Sequence, residues 1–413
     1  MKIAVIGTGI AGLATAYLLS NEHDIYVYEA SDYIGGHVHT TSVSMDNENY
    51  EIDTGFIVYN GKTYPNFIKL LDRIKVASQL TSMSFSVKCD QSGLEYNGTS
   101  LNGLFAQRVN LFKPSFLFMV RDILKFNRDA KSFLKNSADK ITFGDFLKRG
   151  SYSAQLKENY ALPMASAIWS AKPKVIEGSD FRFFAEFFEN HGMLNIDDRP
   201  EWKVISGGSK QYVLSLIGSF KDRIFLNSPV QKVRRRFHDI EVISNKESKT
   251  FDRVIIATHS DQALKIIENP TKNEKEILGA IPYQKNISIL HWDSSVLPKK
   301  KRAWASWNYR KLVKPIGKTT VTYNMNMLQA LEAKKIFCVS LNMENLIDPN
   351  KIIKKIIYHH PIYTIESIAA QKRLHEINGT DRIHFCGAYW GSGFHEDGLK
   401  SALEVCRQFG KSL

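Results

Sequence analysis

A short apolar strand, Ile3-Ala4-Val5-Ile6, runs straight into Gly7-Thr8-Gly9-Ile10-Ala11-Gly12, and residues 13–19 continue with apolar positions at helical spacing. Few segments restrict a fold as tightly as this one. Glycine at 7 permits the tight turn, glycine at 9 lets the backbone approach a pyrophosphate, and glycine at 12 lets helix and strand pack closely. The phosphates then rest on amide N–H groups at the positive end of the helix, where Ile10 and Ala11 stand. A second strand, residues 25–29, completes a βαβ unit and ends on Glu29, 17 residues beyond Gly12. A carboxylate there can accept both ribose hydroxyls of an adenosine and would repel a 2′-phosphate. Glu29 and the neighbouring Ala30 therefore join the expected contact set of a Rossmann-type dinucleotide fold.

The remaining sequence is too long for that unit alone. At 413 residues, 43% hydrophobic and 23% charged, the chain reads as globular and as two interleaved domains. No apolar run reaches the roughly 18 residues that span a bilayer. Met1-Lys2 leads directly into the first strand without an apolar leader, which predicts a cytoplasmic protein. Four dispersed cysteines, Cys89, Cys338, Cys386 and Cys406, argue against a disulfide framework or a metal site and for buried thiols. Lys and Arg exceed Asp and Glu by 55 to 42, a net charge of +13. Such an excess attracts polyanions. With no nucleic-acid motif present, nucleic acid is not an expected partner, and an anionic membrane surface is the stronger candidate.

Dinucleotide-type elements lie at the start, around 205–260 and at the end. Residues 42–60 and 82–97 read as hairpins turning at Asn47 and Gly93. Helical spacing fills the stretch from about 101 to 188, and residues 281–343 read as strand-rich. The expected fold is α/β: a discontinuous Rossmann-type cofactor domain (1–75, 205–265 and 375–413) with an α+β substrate domain formed by insertions (76–204 and 266–374).

An extended flavin dinucleotide is favoured over a nicotinamide one by Gly35-Gly36-His37, a second close backbone approach just past the acid. The decisive stretch is terminal: Phe385-Cys386-Gly387-Ala388-Tyr389-Trp390, then Gly391-Ser392-Gly393-Phe394-His395-Glu396-Asp397-Gly398-Leu399. Strand, glycine turn, aromatic segment and helix start occur in order. A helix beginning near Asp397-Gly398 would aim its N–H groups at the flavin and favour charge that develops on reduction. FAD is the expected cofactor.

In these motifs the whole length resembles the flavin amine oxidase superfamily. Trp202 through Ser209, Ala257-Thr258-His259-Ser260-Asp261-Gln262-Ala263-Leu264 and the terminal segment are similar to a branch of FAD-dependent oxidoreductases found beside, or fused to, cyclopropane-fatty-acyl-phospholipid synthases. The resemblance implies that Gly55 and Phe56 pass close to the flavin ring. It also implies that Val230, Ala257 and Thr258 lie on the adenine side, and that a fatty-acyl methyltransferase or cyclopropane synthase is a partner. Two departures matter. Phe394 stands where amine oxidases carry a clamping tyrosine, and no cysteine occupies the tethering position, so the flavin is expected to be non-covalent.

Tyr389, Trp390, Phe394 and His395 are the candidate catalytic residues, with His395 the best placed for acid/base or flavin contact; core packing would explain each equally well. Glu396 and Asp397 read as caps of the last helix, and His259 as structural. Residues 101–126 interleave Leu and Phe with Arg108, Lys113, Arg121 and Lys125. Such a segment either lies in a lipid interface or forms a core helix with a solvated basic face. Lys299-Lys300-Lys301-Arg302 beside Trp304 and Trp307 is a second basic-aromatic patch. Together these readings predict an apolar, lipid-like substrate: desaturation or another oxidation of a methylated or unsaturated fatty acyl chain on phospholipid. An amine oxidase, a carotenoid-type desaturase and an FAD-dependent double-bond isomerase stay open.

Overall fold

The structure is a computed structural model and describes residues 1–195, 197 and 199–413. A five-stranded parallel sheet organises the cofactor half. Lys2–Ile6 lies at its centre, between Asp24–Tyr28 and Arg253–Ile256, with Ile224–Phe225 and Ile383–Phe385 at the two edges. Its central strands are apolar on both faces because helices cover both sides, as parallel sheets require. The glycine-loop helix, Ile10–Leu19, and the terminal helix, His395–Arg407, pack side by side on one face through Leu13, Leu399, Ala402 and Cys406, all fully buried. First and last segments of the chain thus complete one layer.

Residues 224–235 divide between two sheets. Ile224–Phe225 extends the parallel sheet, whereas Val230–Arg235 starts a separate antiparallel sheet with Ile240–Ser244 and Ser248–Phe251. The two expected hairpins form, Thr40–Met45 with Glu48–Asp53 and Phe85–Cys89 with Glu95–Asn97. Asn47 (φ 65°) and Gly93 (φ 69°) take the left-handed turn positions.

The second half is built on a seven-stranded sheet running from Ile352–Pro361 at one edge to Glu95–Asn97 at the other. Helices between Pro114 and Asn190 pack an aromatic core of Phe126, Phe143, Phe181, Phe184 and Phe188. Strand Trp202–Ile205 pairs with both Tyr59–Asn60 and Ser78–Thr81, so hydrogen bonds cross the boundary expected near residue 75. All four cysteines are buried and free. Among the described residues, no helix is long and apolar enough to cross a membrane.

Candidate active site

Three glycine-bearing loops converge where the central strand ends. The Gly7 N–H donates to the Tyr28 carbonyl (2.8 Å), closing the turn beside the second strand. A Cβ on Gly12 would lie 2.0 Å from the Gly7 oxygen and 3.1 Å from Ala257 Cβ, so Gly7, Gly12 and Ala257 form one tight junction. Gly9 differs: a Cβ there would meet no protein atom within 4 Å. Its open side is the cradle a bound pyrophosphate needs, and the helix it begins carries no side-chain cap on its first amides. Gly36 abuts Gly9, 3.1 Å from its Cα to the Cβ that Gly36 lacks, which brings the second close-approach loop onto the first.

Thr8 ties these loops together, a role the spacing of glycines did not reveal. Its hydroxyl donates to Glu29 Oε2 (2.5 Å) and accepts from the Gly35 N–H (3.2 Å), while its own N–H donates to the same carboxylate oxygen (3.0 Å). Ser31 N–H holds Oε1 at 2.9 Å. The acid at the end of the second strand is thereby fixed in orientation with lone pairs remaining for a ribose. Ala30 beside it is exposed, and Thr258 and Val230 are half-buried.

On the other side of the loops, residues 37–40 and 53–56 run against each other. Phe56 N–H donates to the His37 carbonyl (2.8 Å), and a Cβ on Gly55 would fall 2.0 Å from that oxygen. Phe56 in turn stacks on His395 with ring centroids 3.6 Å apart. The structure therefore brings Gly35, Gly36, His37, Gly55, Phe56 and the start of the terminal helix to one place. The helix is held there by Gly398, whose missing Cβ would meet Ile10 Cγ2 at 2.8 Å. Asp397 accepts from the N–H groups of Phe394 (3.1 Å) and Ser392 (3.0 Å) and caps this helix, as read from sequence. Glu396 corrects its reading. It is buried and caps a different helix, Pro65–Arg73, accepting from Phe67 N–H (2.9 Å) and Asn66 Nδ2 (2.6 Å). Leu399 turns its side chain into the core.

A second knot lies below. Asp53 is fully buried and accepts from Ser209 N–H, Ser209 Oγ (2.7 Å) and Thr40 Oγ1 (2.6 Å), joining the hairpin to the turn Gly207-Gly208. Burial pushes its acid up to about 6, against the pull of those donors.

The four candidate catalytic residues do not share one cavity, although Tyr389 and Trp390 tilt against each other with ring centroids 4.8 Å apart. His395 sits in the core, its Nε2 3.0 Å from the Tyr212 hydroxyl, and burial holds it neutral. Gly387 N–H donates to Ser401 Oγ (2.8 Å), and the aromatic segment then turns Tyr389 inward. Trp390 is half-buried against the apolar cluster that includes Ile377, Ile383 and Phe385. Phe394 alone faces the other half, on Phe187 (4.8 Å between centroids) and near Trp169 (6.2 Å). Trp169 is fixed by its indole N–H on the Ser392 carbonyl (3.1 Å), and the carbonyl of the next residue, Ser170, is held by Gln284 Nε2 (2.7 Å) and Asn286 Nδ2 (3.3 Å). Asn286 Nδ2 is also 2.8 Å from His360 Nδ1, and His37 stacks on Tyr358 of the same strand. His37, His259 and His360 keep some solvent contact, yet protein atoms crowd them on the remaining sides and hold their imidazoles well below the ordinary range. His259 also begins the helix Ser260–Ile266 and stacks on Tyr283 (4.6 Å).

The family model of flavin containing amine oxidoreductases matches residues 10–306, which takes in the glycine-loop helix, the second close-approach loop at Gly35-Gly36 and the turn before Asp53's partner. The chain belongs to this family. It is an FAD-dependent oxidoreductase, and the open cradle at Gly9 with the fixed acid at Glu29 fits that cofactor. The L-amino-acid oxidase of Pseudechis australis is 23% identical over 461 residues, covering 98% of this chain and 86% of its own. Zeta-carotene desaturase of Synechocystis is 27% identical over 189 residues, 41% of this chain and 37% of its own. Among solved structures, a putrescine oxidase bound to putrescine has a TM-score of 0.69 at 13% identity over 99% of both chains. A CLA-producing fatty acid isomerase from P. acnes has a TM-score of 0.67 at 14% identity over 98% of both. Likeness at this identity shows a shared amine-oxidase-like fold.

Proposed function

We propose that this flavoenzyme oxidises an apolar acyl chain, desaturating a methylated or unsaturated fatty acyl group carried on phospholipid. The observation that supports the reading is the wall at Phe394. The residue that opens the terminal helix packs on Phe187 and Trp169, with Phe183 and Tyr363 continuing the surface (4.9 Å between their centroids). Phe394 and Phe183 keep part of their rings uncovered, and a hydrocarbon chain laid on them would gain by burial about 25 cal/mol per Å². The neighbouring strand Tyr283–His291 turns neutral groups inward, Gln284, Asn286 and Ser288, while its Lys285 points to solvent. That face offers an amine neither a countercharge nor a lysine.

FAD, when bound, would supply the hydride-accepting redox chemistry. The chain's own residues supply the rest. Gly9 and the first-turn amides hold the pyrophosphate, and Glu29 holds the ribose. The junction of Gly55, His37 and the terminal helix would hold the ring side, and Phe394 and Trp169 would exclude water and position the acyl chain. The flavin is held without a covalent link in this reading, and a fatty-acyl methyltransferase or cyclopropane synthase supplies the substrate. The same fold carries a fatty acid isomerase, so it is compatible with acyl chains.

Amino-acid or amine oxidation is the second reading, favoured by the full-length similarity to an L-amino-acid oxidase. Anaerobic titration separates the two. Phospholipid extract that bleaches the flavin bands, with simple amines inert, supports acyl-chain oxidation. Bleaching by amines or amino acids alone overturns it. Lipid conversion in air without oxygen uptake marks a double-bond isomerase instead.

A further inference from the structure

The two basic stretches, nearly two hundred residues apart in sequence, form one face. Helix Leu101–Leu104 packs against the turn Lys301–Ala303, and residues 106–109 and 299–302 line a common cavity of about 580 Å³. A buried carboxylate builds this junction. Glu95 accepts from the N–H groups of Lys299 (2.8 Å) and Lys300 (2.9 Å), and its own N–H donates to Gln107 Oε1 (3.0 Å). The lysine loop is thus pinned by its backbone while its side chains stay free in solvent.

The same face carries apolar groups that the fold leaves uncovered. Leu101 is 76% exposed and Phe112 84%, with Val109 and Phe118 more than half exposed. The long helix Pro114–Asn136 buries Phe116, Met119 and Phe126 against the core and turns Leu117, Phe118 and Leu124 outward. The core-helix reading of residues 101–126 holds for the buried side, and the outward side carries apolar as well as basic groups. The stretch is not a continuous amphipathic helix, since residues 101–112 fold as two short turns ahead of Pro114. Neither 100–121 nor 294–304 contains a single Asp or Glu.

We infer that this face docks the enzyme on an anionic phospholipid bilayer. Phe112, Leu101, Val109 and Phe118 enter the interface, while Arg108, Lys113 and residues 299–302 meet the head groups. A nucleic acid would use the cations and leave the exposed phenylalanines in water. A second copy of the chain would set like charges against each other. The inference goes beyond the acyl-chain reading and stands apart from it, because the surface is defined without reference to the bond that is oxidised.

Flotation of the FAD-loaded protein with vesicles tests it, comparing phosphatidylcholine alone with phosphatidylcholine containing about one third phosphatidylglycerol. The protein should float with the anionic vesicles and stay behind with the neutral ones. Replacing Lys299, Lys300 and Lys301 together by Gln should weaken partition about a hundredfold, from about fivefold for each basic side chain. The pair Phe112→Ser and Phe118→Ser should weaken it at least about tenfold at unchanged charge. Flavin content and thermal midpoint should match the parent in both variants, since all five side chains are exposed. Parental partition of the phenylalanine variant, or equal binding to duplex DNA, would reduce the face to a general polyanion surface and overturn the inference. Because flotation reads partition and not turnover, an enzyme that oxidises amines can still dock. A lipid oxidase that fails to float loses this inference alone.

Discussion

Gly12 and Gly9 separate what the fold needs from what the cofactor needs. Alanine at 12 would drive its Cβ to 2.0 Å from the Gly7 carbonyl oxygen and 3.1 Å from Ala257 Cβ. One obstacle is main chain and the other a Cβ, each just past the end of a central strand, and neither can swing aside. Overpacking of this kind destabilises by about 1–3 kcal/mol, and by more where main chain must move. Alanine at 9 meets no protein atom within 4 Å, and the backbone there (φ −65°, ψ 174°) suits any residue. Two small effects oppose each other in the apoprotein. A less flexible unfolded chain stabilises by about 0.4–1 kcal/mol, and alanine caps a helix worse than glycine by a similar amount. Gly9→Ala should leave the urea stability of the flavin-stripped protein within about 1 kcal/mol of the parent. Its methyl group fills the space through which the backbone reaches the pyrophosphate. FAD affinity should then fall by about ten- to a hundredfold, or ~1.4–2.8 kcal/mol. The assay is urea unfolding of the stripped protein, then FAD titration by quenching of flavin fluorescence. A Gly9→Ala protein that binds FAD as the parent does would refute the cradle. So would one that loses apoprotein stability as Gly12→Ala does.

Thr8→Val removes a donor to Glu29 and leaves the buried Gly35 N–H unpaired, so apoprotein stability should drop by about 1–3 kcal/mol. Thr8→Ser, measured in the same urea series, should restore most of it. Glu396→Ala strips the acceptor from Phe67 N–H and Asn66, and a similar loss is expected by urea unfolding. Stability should also fall with acid. His191, His291 and His384 are each pushed down to about 4 by burial, so between pH 6.5 and 4 the unfolded chain binds protons that the fold refuses. Their contribution is complete above pH 6.5 and disappears on acidification, at up to about 4 kcal/mol per pH unit for the three. Asp53, pushed up to about 6, works in the opposite sense: its contribution is present at low pH and lost as pH rises through 6. Asp53→Asn should therefore steepen the acid loss in a pH series of urea midpoints, and a parent–variant difference that does not change with pH would contradict this.

The cofactor half was legible because its signals are local. A strand, three glycines at fixed spacing and an acid fit within thirty residues, and each has a steric reason that needs no distant partner. Strand Ile352–Pro361 carries a weak sequence signal because it lies at a sheet edge, where Lys354 and Lys355 break the alternation with charge, as exposed edges tend to. The division of residues 224–235 between two sheets has no local signal either. Parallel pairing with Asp24–Tyr28 joins chain segments two hundred residues apart, and no turn residue announces it. The buried acid Asp53 shows the same limit at the site. Its donors on Ser209 lie 156 positions away, and the glycine pair before Ser209 signals only that a turn is needed there.

Two adjacent carboxylates show most clearly why the site could be read only in part. Glu396 and Asp397 occupy the first turn of one helix, so a common capping role was the economical reading. Successive helical positions point about 100° apart, however, and cannot serve the same amides. Asp397 faces the start of its own helix, and Glu396 faces the start of Pro65–Arg73. With Gly398 closed against Ile10, the terminal helix is fixed on three sides: by its own cap, by a neighbouring helix and by the glycine loop. An enzyme whose chemistry resides in a bound flavin must place the ring by such fixed contacts. The helix beside Phe56 and His37 therefore owes its position to contacts within the protein, and the assignment of His395 to catalysis meets a competing structural role in its stack on Phe56 and its contact with Tyr212.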